Sequence, residues 1–272
     1  MRIRSVLMGV ALLVFATIHG GAQAQAAPEV KGLANPTAET FMYVGNSFFY
    51  YNNGLPAFVA KLVAGAPETE RRRYGATMVT IGGSGFDWHD MESYLRPHAI
   101  GYYNFDKDNN IVFNTRKKYY DAVIMMDCSQ CPIHPRLKPV FMTYAKKNAA
   151  IARRHGVEPI LFMSWAYQDH PEMTAQLADA YTQAGNANHE LVIPAGLAFA
   201  KVFKDRPDLN LYQPDKRHPT PIGSYLAAST IYASIYHRSA ETNAYTAGLD
   251  PDVARYLRTT AWEVAKAYYG WQ

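Results

Sequence analysis

A chain of 272 residues that is 49% hydrophobic and 18% charged can bury a sizeable core in one domain, or at most two small ones, and is too apolar for a disordered chain. Its formal net charge is +4, and apart from Arg71-Arg72-Arg73, which reads as a solvated turn, no basic stripe marks a nucleic-acid surface. Two cysteines, Cys128 and Cys131, make no disulfide framework, so the fold has to rest on its core.

The chain opens like an export signal. Arg2 and Arg4 precede an apolar stretch from Val6 to Ile18, and Ala22-Gln23-Ala24 and Ala24-Gln25-Ala26 are small-x-small cleavage sites. The stretch is short for a membrane span and no stop-transfer pattern follows. Residues 1–26 are therefore expected to be removed. The mature chain, 27–272, is expected to be periplasmic or secreted and not inserted in a membrane.

Thr40–Val44 is predicted as a buried strand ending at Gly45. Leu55 to Ala64 has helical apolar spacing, with Pro56 in its first turn. Thr77–Ile81 is a second strand, running into the flexible loop Gly82-Gly83-Ser84-Gly85. Residues 88–116, aromatic and polar by turns, match no template. Tyr120–Met126 is the clearest strand. Pro139 to His155 is a helix closed by Gly156. Pro159–Met163 and Leu191–Ile193 are strands on either side of a helix from Glu172 to His189. Helices follow at Gly196–Phe203, Pro221–Tyr236 and Pro251–Tyr269. Strands alternating with helices predict a single-domain, three-layer α/β/α sandwich on a mainly parallel sheet of about five strands.

In such a sheet, ligands sit at the carboxyl ends of the strands. Gly45-Asn46-Ser47-Phe48 puts a serine hydroxyl there, after two residues that tolerate a tight turn. A turn or cap serine is the ordinary alternative. Ser84 is a rival nucleophile, but its loop lacks the second glycine of a Gly-x-Ser-x-Gly elbow and suits the presentation of N–H groups better. The same loop lacks the lysine and the spacing of a phosphate-binding motif. Far downstream, Asp215-Lys216-Arg217-His218-Pro219-Thr220-Pro221 places a carboxylate three residues before an imidazole on a proline-stiffened loop. The carboxylate can reach Nδ1 and leave Nε2 free to take a proton from a serine. Asp169-His170-Pro171 competes, with the acid adjacent in sequence and less well placed to hold the ring. Loop and cap chemistry is the ordinary reading of both segments.

Gly45-Asn46-Ser47-Phe48, the Gly82–Gly85 loop and Asp215-x-x-His218-Pro-Thr-Pro-x-Gly resemble blocks I, II and V of the SGNH (GDSL-type) hydrolases, across residues 40 to 240. The closest likeness is to exported bacterial SGNH-like proteins of undefined substrate. The resemblance implies a flavodoxin-like fold and ester hydrolysis through an acyl-enzyme, without metal or organic cofactor. It implies Ser47 as nucleophile, His218 as base and then acid, and Asp215 as its orienting partner. Oxyanion donors would be the Ser47 and Gly85 amides. The family's Gly-Asp-Ser is Gly-Asn-Ser here, and its Gly-x-Asn after the third strand is replaced by Asp127-Cys128-Ser129-Gln130. Gln130 stands where the Asn would lie and offers the same amide on a longer arm, and Ser129 or Asp127 could instead occupy the space.

Cys128-Ser129-Gln130-Cys131 has dithiol spacing. A short disulfide shaping the Gln130 loop is one reading. A thiol–disulfide oxidoreductase is another, though Pro132 and Pro135 disfavour the helix such motifs open. A zinc site would need two further ligands, with His134 as one candidate. A non-catalytic carbohydrate-binding protein on the same fold is a third functional class, in which Trp88, His89 and some of the twenty tyrosines would stack on sugar rings. The expected partner is a small or carbohydrate-linked acyl ester, and no nucleic acid.

Overall fold

The structure is a computed structural model and describes residues 26–97, 99, 103–113 and 118–272. The export-signal reading falls almost wholly outside them. Among the described residues no helix is long and apolar enough to cross a membrane.

Five strands, β1 (Thr40–Gly45), β2 (Gly75–Thr80), β5 (Ala122–Met125), β6 (Glu158–Phe162) and β7 (Leu191–Ile193), form one parallel sheet in the order β2-β1-β5-β6-β7. The crossovers are α2 (Leu55–Ala64), α4 (Lys138–Arg154) and α5 (Met173–Asn188), with α6 (Ala195–Asp205), α7 (Pro221–Tyr236) and α8 (Pro251–Tyr269) completing the layers. This is the doubly wound arrangement expected from the alternation of strands and helices.

Period-two alternation divides each central strand between two cores. Phe41 and Tyr43 of β1 face the layer that includes α2, α7 and α8, while Met42 and Val44 face the layer of α4 and α5. α7 is buried almost throughout, consistent with its nearly unbroken apolar and small-residue sequence. Local signals set the helix ends. Thr220 caps α7 through Gly223 N–H, Asp250 caps α8 through Asp252 and Val253 N–H, and Gly156, at φ +68°, turns the chain out of α4.

Three features differ from expectation. The chain passes from β1 straight into a helical turn, α1 (Ser47–Tyr50), followed by a 3₁₀ turn at Tyr51–Asn53, where a loop is expected. Asn46 makes this possible, because its Oδ1 accepts from Phe48 N–H as an N-cap. Residues 88–116 contain a short helix, α3 (Met91–Leu95), and an antiparallel pair, β3 (Tyr103–Phe105) with β4 (Ile111–Phe113), whose residues are all exposed. With no buried face, that pair shows no in–out polarity pattern to read.

Candidate active site

The order of the parallel strands reverses between β1 and β5, and a crevice opens there beyond their carboxyl ends. Ser47 follows β1 and the Cys128–Cys131 loop follows β5. A cleft of about 430 Å³ is lined by Ser47, His218, Gly82, Gly83, Gln130 and Arg217, together with Tyr50, Tyr51 and Tyr167.

Asn46 builds the base of the site. Its Nδ2 donates to the backbone oxygens of Ser84 (3.0 Å) and Asp127 (3.1 Å). One buried amide thus ties the ends of β1 and β5 to the glycine loop, and holds Ser47 as the first residue of α1. The Ser47 N–H is one of the amides a helix start leaves without an intrahelical acceptor.

The segment 211–220 folds back on itself. Gln213 N–H donates to His218 O, Thr220 N–H to Leu211 O, and Lys216 takes the left-handed conformation at φ +64°. Asp215 Oδ1 accepts from the backbone N–H groups of Arg217 (2.9 Å) and His218 (3.0 Å), while its Oδ2 lies 2.5 Å from His218 Nδ1. His218 Nε2 lies 2.8 Å from Ser47 Oγ. Ser47, His218 and Asp215 therefore meet in one hydrogen-bonded line, from positions 171 and 3 residues apart in the chain.

Partial burial pushes the Asp215 carboxyl up, but the His218 ring and the two backbone N–H groups outweigh it and hold it at about 2. Asp215 is thus anionic at neutral pH and keeps the imidazole proton on Nδ1. The ring is also clamped from both sides. Tyr51 stacks on it at 4.2 Å and 10°, and Phe48 meets it edge-on at 5.5 Å. Phe48 continues a stack through Trp165 to Phe199, and Trp165 Nε1 donates to Arg217 O.

The other singled-out residues fall elsewhere. Ser84 is fully buried, with its hydroxyl 3.1 Å from Gly45 O and 2.9 Å from His89 Nε2. It is a tether, not an accessible nucleophile, and His89, also buried, has no face for a sugar. Trp88 is exposed but is not part of the cleft wall. Asp169 pairs with Lys216 and His170 with Glu172, away from the cleft. Gly85 is buried against Asp127, where a Cβ would lie 2.9 Å from Asp127 Oδ1, and it does not reach the cleft. The glycine backbone that does is Gly82–Gly83, with Gly83 at φ +74°. Gln130 stands exposed on the cleft wall.

Cys128 and Cys131 are joined in a disulfide. They sit in a run of turns well before α4 and open no helix. With Asp127 they are the set closest to a metal-binding geometry among the described residues, but two sulfurs bonded to each other offer no thiolate. His134 Nδ1 accepts from Arg136 N–H.

Asp127 itself carries structural information that the sequence did not signal. Its Oδ1 accepts from Phe86 N–H (2.9 Å) and Cys128 N–H (2.7 Å), which joins the glycine loop to the disulfide loop from behind. Burial pushes its carboxyl up to about 6, against those two donors.

No protein-family model matches the chain, and no curated protein matches it in sequence. Solved structures do match in shape. A DUF4886 family protein from Bacteroides uniformis superposes with a TM-score of 0.56 at 18% identity, over 86% of this chain and 96% of its own. A proposed SGNH hydrolase from Slackia heliotrinireducens gives 0.53 at 20% identity, over 72% of this chain and 98% of its own. TesA gives 0.52 at 14% identity, over 72% and 97%. At such identities the likeness speaks for the architecture alone. The order of the sheet, the position of the crevice and these superpositions together give the chain the fold of the SGNH hydrolases.

Proposed function

We propose that the protein is a serine ester hydrolase that works through an acyl-enzyme, and that its mature form, from about residue 27, acts outside the cytoplasm. The observation that carries the reading is the hydrogen-bonded line Ser47 Oγ, His218 Nε2, His218 Nδ1, Asp215 Oδ2 at the wall of an open cleft. As Ser47 Oγ attacks the ester carbonyl, its proton passes to His218 Nε2, and the imidazolium so formed faces an anionic Asp215. The negative oxygen of the tetrahedral intermediate needs donors. The Ser47 N–H, the Gly82–Gly83 backbone and the Gln130 side-chain amide are the groups available at the cleft, each worth about 3 kcal/mol if correctly aimed. His218 then returns the proton to the leaving alcohol, and water repeats the sequence to release the acid.

Each step uses side-chain and backbone groups of this chain and calls on no metal or organic cofactor. An ester is favoured over a disulfide as substrate because Ser47 and His218 are hydrogen-bonded to each other at the cleft, whereas Cys128, which also lines it, is tied to Cys131 and opens no helix that would activate a thiol. A short or carbohydrate-linked acyl group fits the cleft's size and its three tyrosines.

The test is Ser47→Ala, assayed on para-nitrophenyl acetate. Turnover is expected to fall by at least roughly 10⁴-fold with the circular dichroism spectrum and melting temperature retained. Undiminished turnover in that variant would remove Ser47 as nucleophile.

A further inference from the structure

Arg217 sits in the middle of the Asp215–His218 turn, yet no catalytic step above uses it. Its backbone is fixed at both ends: its N–H donates to Asp215 Oδ1 and its oxygen accepts from Trp165 Nε1. The guanidinium lies over the ring of Tyr167, 4.6 Å from the centroid. Tyr167 is itself buried, and its hydroxyl lies 2.7 Å from Ser129 Oγ on the disulfide loop. The cation is therefore held at the cleft by a stack on a pinned ring, and less of its rotamer freedom remains to be lost when a ligand binds.

The surrounding charge is uneven. Among the described residues Arg217 has no carboxylate partner, whereas its neighbour Lys216 is paired with Asp169. Among the described residues the cleft wall contains no Asp or Glu side chain. Asp215 is turned to His218, and Asp127 is buried behind the wall. An unpaired guanidinium in a cleft that holds Ser47 and His218, with no competing anion, attracts an anion. Its planar fork matches a carboxylate.

We infer that Arg217 is an anion anchor, and that the ester this protein takes carries a carboxylate close to the scissile bond. The inference rests on the hydrolase reading above and narrows it. The carboxylate can belong to the acyl part, as in a half-ester of a dicarboxylic acid. It can also belong to the alcohol part, as in an acylated uronic acid or hydroxy acid. Both offer the same group to the same fork.

Two matched pairs of esters separate these sources. The para-nitrophenyl monoester of adipic acid against para-nitrophenyl hexanoate tests the acyl side. Para-acetoxybenzoate against para-acetoxybenzamide tests the alcohol side. Each enzymatic kcat/KM is divided by the spontaneous hydrolysis rate of the same ester. The wild-type protein is expected to prefer the anionic member of one pair by about tenfold, the equivalent of one charge-assisted hydrogen bond. That preference should shrink in 0.5 M salt, drop to about one in Arg217→Gln, and survive in part in Arg217→Lys. A wild-type ratio at or below one in both pairs, or a ratio that Arg217→Gln leaves unchanged, overturns the anchor. Binding separates this result from failure of the hydrolase reading. If the wild-type protein turns over none of the four esters, the catalytic reading falls, and the anchor is judged by calorimetric titration. Tighter binding of an anionic member than of its neutral mate upholds it, and equal binding or none overturns it.

Discussion

Asn46 shows how much one side chain can decide. It faces two backbone carbonyl oxygens, of Ser84 and Asp127, and only an amide can donate to both while its own oxygen caps α1. The sequence reading treats this residue as a turn former standing where the family has an aspartate. The structure makes the difference specific, because a carboxylate there would point negative oxygens at two carbonyls in a buried site. Asn46→Asp is therefore expected to cost about 3 kcal/mol, read from urea unfolding, with a fall in turnover since Ser47 is the next residue. Stability within a few tenths of a kcal/mol of the wild type would contradict this role. The three residues of the hydrogen-bonded line were legible because their chemistry is tied to short fixed patterns. In the glycine loop, sequence spacing cannot say which of four neighbouring residues turns inward. Here Phe86 N–H bonds to Asp127 and Gly85 is buried beside that carboxylate, while Gly82 and Gly83 line the cleft.

At the scale of elements, the site depends on a short piece that periodicity could not reveal. α1 and its 3₁₀ continuation span only a few residues, too few for a helical apolar pattern. Yet this piece holds His218. Tyr51 lies flat on the imidazole, and Asn52, left-handed at φ +55°, donates from Nδ2 to Pro219 O (2.9 Å) and Ser224 Oγ (2.8 Å). The 3₁₀ turn after β1 thus grips the loop that carries His218 and the first turn of α7. Asn52→Ala removes both bonds and places alanine in a backbone region it disfavours. Its expected effect is a loss of about 2 kcal/mol of stability and about a tenfold fall in kcat with a smaller change in KM, because it loosens the His218 loop. Steady-state kinetics and thermal melts measure both, and an unchanged kcat would show that Tyr51 and Asp215 suffice to hold the ring. The longer elements were read from sequence with small errors at their ends. Their apolar faces are long enough to show a period, and Gly156 and the prolines punctuate them.

For the whole molecule, two buried carboxyl groups link stability to pH. Burial raises Asp127 to about 6 and Glu190 well above its ordinary value, and both Glu190 oxygens lack a hydrogen-bond partner among the described residues. A raised carboxyl pKa means that the folded state keeps a proton the unfolded chain has released. The stabilisation is complete below the ordinary carboxylate range and is lost as pH rises through the raised value. For Asp127 that window runs from about 4 to about 6, and for Glu190 it extends higher. Buried His89, whose pKa is lowered, acts in the opposite sense, so the comparison of variants is more telling than the wild-type curve. Glu190→Gln and Asp127→Asn are each expected to raise the melting temperature relative to wild type more at pH 8 than at pH 5. For Asp127 the difference between the two pH values should be on the order of 1–1.5 kcal/mol. Calorimetry at the two pH values checks this, and equal gains at both would contradict it. The layered sheet itself was legible from the alternation of buried strands with helices. The β3–β4 pair was not, because the residues that mark strands elsewhere by facing a core here face solvent.

The central claim is that Ser47 is a nucleophile activated by His218, and a fluorophosphonate probe addresses it directly. The full-length or mature protein is incubated with the probe, digested, and mapped by mass spectrometry. The account predicts a single phosphonylated peptide modified at Ser47, with labelling lost in His218→Ala. Label on another residue, or hydrolysis of esters by a protein whose Ser47 stays unmodified, would contradict it.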